Sequence, residues 1–218
     1  MNATPVIVIG SGGHAAVVAD ALLAAGRNVL GFTDTDASRH GVRLCGLLVL
    51  GDDSVLDVHA PASVELANGI GGTGAGAGAA LRRKVQRGLE AGGWRFAAVR
   101  HPSAVVSPFA QVGASAHLLA ASVVQAGAVV ADGCIVNTAA VIEHDVVLGE
   151  FVHVACGAVL CGNVRVGALG HVGAGSVVRQ GVTLGDHTVV GAGAVVVADF
   201  AGGATLVGVP AGAMREQR

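Results

Sequence analysis

The sequence predicts a two-part chain: a small Rossmann-like α/β domain over residues 1–98, followed by a parallel β-helix domain with a C-terminal tail over residues 99–218. Three observations predict it. From Val106 to Val196 every sixth residue is Val, Leu or Ile, sixteen times in succession. The residue two places before each is small or slim, as at Ala104, Ser122 and Cys134. Upstream, the apolar run Pro5–Gly10 opens directly into Gly10-Ser11-Gly12-Gly13-His14. A fixed period of six belongs to hexapeptide β-helix repeats. A helix period of 3.6 or a strand period of 2 would not keep register over so many steps.

In a three-sided solenoid each hexad is one short strand and a tight turn. Three hexads close one coil, and coils stack about 4.8 Å apart. The aliphatic residue points into the prism and the slim residue fills the space beside it. Gly often follows the aliphatic residue, as in Val112-Gly113 and Leu148-Gly149, and sharp corners favour the positive φ that Gly tolerates.

Composition narrows the function classes. Hydrophobic residues make up 52% of the chain, charged residues only 13%, and Gly numbers 35, a mix suited to stacked coils. A net charge of −2 provides no basic field for nucleic acid. With no Tyr, one Trp and five Phe, base-stacking platforms are absent too. Residues 101–131 carry no Asp, Glu, Lys or Arg, yet Pro102, Pro108 and the six-residue period speak against a membrane span. Met1–Pro5 lacks the basic start of a signal peptide, so a cytoplasmic location is expected. The four Cys form no CxxC pair and no disulfide framework.

In order along the chain, Pro5–Gly10 reads as a buried parallel strand, Ala15–Ala25 as a helix stopped by Gly26, and Asn28–Thr33 as a second strand ending at Asp34. Arg43–Leu50 reads as a further strand region, Ser54–His59 as the start of a helix, and Ser63–Ala67 as a strand ending in the loop Asn68-Gly69-Ile70-Gly71. The glycine- and alanine-rich segment 71–80 leads into a helix over 79–91, with Arg82, Arg83, Lys84 and Arg87 expected on solvent. Phe96–Val99 is expected to be a last strand before the solenoid begins near His101-Pro102.

The loop Gly10-Ser11-Gly12-Gly13-His14-Ala15 fits G-x-G-x-x-A, with Asp34 about twenty residues on. Backbone N–H groups at a helix N-terminus hold phosphate, and a carboxylate at the second strand's end accepts bonds from a ribose or base. NAD and a nucleotide-linked sugar satisfy these features equally well.

The whole chain resembles the sugar O-/N-acyltransferase family of the sialic acid O-acetyltransferase type. The matching stretches run in order from near residue 6 to residue 213: Val8–His14, Phe32–Asp34, Val49–Asp53, Asn68–Gly71, His101–Val105, Asn137–Asp145 and Val207–Ala211. The resemblance implies a left-handed β-helix, a hand that periodicity alone does not set. It also implies a homotrimer, acetyl-CoA as cosubstrate in the cleft between neighbours, and a nucleotide-linked amino sugar, of the 4-amino-4,6-dideoxy kind, held by the N-terminal domain. Carried over residue by residue, it places Gly12, Gly13, His14, Asp34, Asn68, Gly69, Ile70 and Gly71 at the nucleotide and Asn137 near the sugar. It makes His144 the base, followed by Asp145, and places His153, Gly162, Gly173, Ala174, Gly191, Ala192, Val209 and Pro210 along acetyl-CoA. The 71–80 segment departs from the family, intervening where many members carry an Arg-containing stretch soon after the Asn68 loop.

The chemistry has its own logic. Attack on a thioester needs an amine or hydroxyl relieved of its proton, and an imidazole titrates near operating pH. A neighbouring carboxylate fixes its tautomer. Glu143-His144-Asp145 is the only acid-His-acid triplet in the chain. His117, His153 and His171 share a different repeat position, one before the aliphatic residue. Such a column is more often solvated or part of an interface than a metal site, and no metal is expected. Sugar O-acetylation, an NAD-binding oxidoreductase with a β-helix trimerisation module, and a purely structural solenoid are the other readings.

Overall fold

The structure, a computed structural model, describes residues 4–72 and 77–213. Residues 73–76 of the glycine- and alanine-rich segment lie outside the described residues, as do the two chain ends.

Strand β1 (Val6–Ile9) is buried throughout, as expected of an apolar run covered on both faces. Helix α1 (Gly13–Ala24) buries Ala15, Val18, Ala19, Ala21 and Leu22. Gly26 ends it at φ +72. Strand β2 (Val29–Thr33) follows. The expected strand 43–50 is instead a hairpin, β3 (Arg43–Leu44) and β4 (Leu47–Gly51). Cys45 and Gly46 take φ values of 51 and 79, and two consecutive left-handed residues make a two-residue hairpin turn. The expected helix at 54–59 is a 3-10 helix, Asp53–Val58, whose start is capped by Asp52 accepting from the Ser54 N–H. Strand β5 (Glu65–Asn68) and helix α2 (Ala77–Ala91) complete the domain.

The sheet order is β3-β4-β2-β1-β5, parallel except for the β3–β4 hairpin. The chain moves from β1 to one side and later returns to its other side. The loops after β1, β2 and β5 therefore open a crevice at the carboxyl edge, where open α/β sheets bind ligands. The expected strand at 96–99 contributes only Phe96, which bridges Leu66. Val99–Arg100 leaves this sheet and pairs with His117–Leu118, making it the first strand of the solenoid.

The solenoid is a left-handed parallel β-helix of two-residue strands, each pairing with the strand eighteen residues on. Its three faces run through Val141–Ile142 (face I), Val147–Leu148 (face II) and His153–Val154 (face III). From Leu118 onward the repeat aliphatics are at most 3% exposed. Val106 and Val112, at the open end, are half-buried.

The corners correct one expectation. Positive φ falls three residues after the aliphatic position, at thirteen successive corners from Ala121 to Gly193. Seven of these carry side chains, among them Asp145, Phe151, Asn163 and Leu169. The glycines directly after the aliphatic residue answer a different demand. A Cβ on Gly113 would lie 2.6 Å from the Asp132 nitrogen, and one on Gly149 would lie 2.7 Å from the Ala168 nitrogen. These glycines let one coil sit on the next.

The N-terminal domain docks on face III. Val99, Leu119 and Ile135 join the same apolar cluster as Val6, Val18 and Phe32. Arg82, expected on solvent, is 1% exposed. Helical spacing places it on one stripe with Ala79 and Gln86, facing inward. Its Nη2 donates to the Phe151 carbonyl at 2.6 Å. Phe151 and Leu169 occupy left-handed corners at a cost of about 1–2 kcal/mol each. They pack with Ala79, which offsets that cost.

Candidate functional site

The structure sorts the predicted site residues into three places. The first is a cleft of about 520 Å³ at the carboxyl edge of the α/β sheet, lined by Gly12, Gly13, His14, Asp34, Gly69, Ile70 and Gly71. A second hollow of about 240 Å³ adjoins it, sharing Asp34, Ile70 and Leu81 and adding Thr35, Asp53 and Val85. Cβ atoms built on Gly12 and Gly13 would meet nothing within 4 Å. No side chain caps α1 and no acid lies in its first turn. Its N-terminal dipole therefore faces the open cleft, which favours an anion there.

The glycines of the second loop serve close approach. A Cβ on Gly69 would fall 2.7 Å from the Ala15 Cβ, and one on Gly71 would fall 2.9 Å from the His14 Cβ. Asn68 does not line the cleft, contrary to expectation. It is 2% exposed, donates to the Arg82 carbonyl and Gln86 Oε1, and accepts from the Ile70 N–H. Its side chain holds the loop to α2.

Asp34 clamps the first loop. One carboxylate oxygen accepts from both the backbone and the hydroxyl of Ser11, and the other accepts from the Asp36 N–H at 3.0 Å. Burial pushes this carboxyl up, but the Ser11 and Asp36 hydrogen bonds and the Arg39 charge outweigh it and hold the pKa below the ordinary value. Arg39, which the motif does not contain, donates to the Ser11 hydroxyl and carbonyl, both at 2.6 Å.

The second place is the corner between faces I and II. His144 and Asp145 stand there, both more than half exposed, with Nδ1 2.8 Å from Asp145 Oδ2. A carboxylate accepts, so Nδ1 donates, and in the neutral imidazole that leaves Nε2 as the nitrogen with a lone pair. Asp145 takes φ 61, a conformation Asp tolerates better than most residues. Gly162 lies in the next coil. A Cβ there would fall 2.5 Å from His144 Cε1 and closer still to Nε2. A Cβ on Gly127, in the coil before, would overlap Asp145 Oδ1. Two glycines, one in the coil on each side, clear the slot this pair occupies.

The third place is the corner between faces III and I. Asn137, Gly173, Ala174, Gly191 and Ala192 lie along it, with Ala174 and Ala192 exposed. A Cβ on Gly173 would fall 2.5 Å from the Val190 carbonyl, so coil stacking alone already requires glycine there. Val209 and Pro210 lie exposed in the chain's return after Thr205–Val207, the strand that extends face III.

His153 departs from expectation. It is not on an open groove but 5% exposed beneath the N-terminal domain. Its Nδ1 donates to the Gly72 carbonyl at 3.3 Å and its Nε2 accepts from Asn137 Nδ2 at 3.2 Å. The rings of His14 and His117 stack at 5.9 Å, and those of His153 and His171 meet edge-on at 5.0 Å. Burial, then Arg82, lowers His14 to about 4. Burial, followed by the charges of His171 and Arg82, lowers His153 to about 3. These imidazoles are neutral near pH 7. Among the described residues no group of His, Cys, Asp and Glu has the arrangement of a metal site. No described helix is long and apolar enough to cross a membrane.

Residues 5–87 match the PglD N-terminal domain family. The acetyltransferase domain of PglB from Neisseria gonorrhoeae is 36% identical, with 97% of this chain and 100% of that chain covered and a TM-score of 0.89. A second structure of that domain is in complex with acetyl coenzyme A, at 37% identity over 97% of this chain and 99% of that chain, with the same TM-score. A histidine-to-asparagine mutant of perosamine N-acetyltransferase from Caulobacter crescentus, in complex with CoA and GDP-perosamine, is 36% identical over 97% of each chain, with a TM-score of 0.89.

Proposed function

This chain belongs to the sugar O-/N-acyltransferase family of the sialic acid O-acetyltransferase type, and we propose that it moves the acetyl group of acetyl-CoA to the amine of a nucleotide-linked 4-amino-4,6-dideoxysugar. The observation that carries the reading is the His144–Asp145 pair on an open corner, its Nε2 bare above Gly162. In this reading Nε2 takes the proton of the sugar amine as the nitrogen attacks the thioester carbonyl. Asp145 holds the tautomer and stabilises the imidazolium, which returns the proton to the departing CoA sulfur. A positioned base of this kind supplies about 10²- to 10⁴-fold. Backbone N–H groups of the coil corners hold the oxygen while it is negative.

In this reading a single copy is not enough. The N-terminal domain covers face III, and His144 stands on the corner opposite that face. A sugar seated in the cleft of one subunit is therefore carried to the imidazole of another, in the homotrimer the family resemblance implies. Face I supports such association. Its outward column is Val105, Val123, Val141, Val159, Val177 and Val195, and it lies between the His144 corner and the Ala174–Ala192 corner.

The test is thiol release from acetyl-CoA across UDP-, dTDP- and GDP-linked 4-amino-4,6-dideoxysugars. At least one amine acceptor should release CoA at a rate well above the matching hydroxyl sugar. Release with the hydroxyl sugar alone would move the assignment to O-acetylation. Thermal stabilisation by NAD without any response to acetyl-CoA would overturn it.

A further inference from the structure

The hollow of about 240 Å³ beside the cleft holds chemistry that the acetyl transfer above leaves unused. Its walls are aliphatic. Ile9 ends β1, Ile70 lies in the loop after β5, and Leu81 and Val85 stand one turn apart on α2. Such walls suit the two faces of a flat ring. The rest of the lining is polar, with Thr33, Asp34, Thr35 and Asp53 at the carboxyl edge of the sheet. Among the described lining residues none is a cation.

The two carboxylates differ in what they leave open. Asp34 is occupied by its own loop: one oxygen accepts from the Ser11 N–H and hydroxyl, and the other accepts from the Asp36 N–H at 3.0 Å. Asp53 is held at one oxygen only. Its Oδ1 accepts from the Thr33 hydroxyl at 2.7 Å, and Thr33 is fully buried on β2, so this carboxylate is anchored to the sheet. Among the described residues nothing donates to its Oδ2. A half-buried carboxylate with an open edge matches two neighbouring N–H groups lying in one plane.

Among the nucleobases guanine offers that pair, through N1–H and the 2-amino group. Uracil and thymine present one N–H between two carbonyl oxygens, which a carboxylate repels. Adenine and cytosine present one amino group beside a bare ring nitrogen. We propose that Asp53 is a specificity-determining residue that selects guanine as the base of the nucleotide-linked sugar, with the ring lying between Ile70 and the Leu81 and Val85 side chains. The inference rests on the nucleotide-sugar reading above and narrows it from three nucleotides to one.

The experiment compares GDP, IDP, UDP and dTDP by titration calorimetry on wild type and Asp53→Asn. IDP keeps the N1–H and lacks the 2-amino group. Wild type should bind GDP about tenfold or more tightly than each of the others. Asp53→Asn keeps an oxygen for Thr33 and turns the open edge into a donor. It should weaken GDP about tenfold or more and leave UDP and dTDP within about twofold, erasing most of the preference. Equal weakening of all four would make Asp53 a ribose contact or a support for the fold, and overturns the assignment. Should the asparagine variant fail to fold, wild type decides: GDP and IDP bound alike, or a pyrimidine diphosphate bound as tightly as GDP, overturns it. Wild type that binds no nucleoside diphosphate brings down the nucleotide reading and this inference with it, whereas binding led by a pyrimidine sinks this inference alone.

Discussion

Histidines occupy two opposed settings in this molecule. At the corner between faces I and II, His144 is half in solvent, paired to one carboxylate, with glycine in the coils on either side. At the seam on face III, His14, His117 and His153 are packed between domains beside an unpaired guanidinium. The same side chain is open and carboxylate-paired in one place and enclosed in the other. Access and a tautomer-fixing partner suit the first to the proposed base role, whereas desolvation lowers the second group's affinity for a proton.

The comparison can be broken most directly at the corner. His144→Ala should reduce kcat by about 10²- to 10⁴-fold while leaving acetyl-CoA affinity nearly intact, measured by thiol release and calorimetry. Retained kcat would remove the corner from the chemistry. Next in size is Gly162→Ala. Its Cβ displaces the His144 ring from its slot, and a shift of about an ångström costs about 100-fold in kcat with a small change in thermal midpoint. Asp145→Asn keeps the shape but loses the charge. Because the pair is more than half exposed, a loss of about tenfold in kcat is expected.

At the seam the expected effects are on stability and not on rate. His153→Gln should lower stability by about 1–3 kcal/mol and leave kcat of the folded protein nearly unchanged. The seam should also respond to acid. His14 and His153 sit near 4 and 3 when folded and near 6.5 when unfolded, so the folded state disfavours their protonation. Their contribution is complete above about pH 6.5 and is lost as pH falls from there toward those folded values. Arg82, His117 and His171 face the same seam and oppose protonation. Thermal midpoints at descending pH should therefore fall in wild type and fall less steeply in His153→Gln.

The solenoid was legible because its period survives any choice of side chain within a hexad. The inward column from Leu118 to Val196 follows from spacing alone. The cleft was legible for a related reason, since loops following adjacent parallel strands must converge. What escaped was tertiary. Arg82 reads as one more cation on a basic helix, and only the i, i+4 stripe with Gln86 hints that it turns inward. His153 reads as an outward residue, and nothing local says that another domain covers that face. Arg39 lies outside any motif, and its bond to the Ser11 carbonyl depends on the path taken after β2. The two kinds of glycine look identical as letters. Their difference is whether φ or the neighbouring coil makes the demand.

The unbroken eighteen-residue register has a consequence for how such a scaffold changes. Deleting or duplicating one coil would raise or lower every feature above it by a single strand spacing, about 4.8 Å, without re-aiming any side chain. The span between the N-terminal cleft and the His144 corner is thus adjusted in whole rungs, like the shelves of a bookcase.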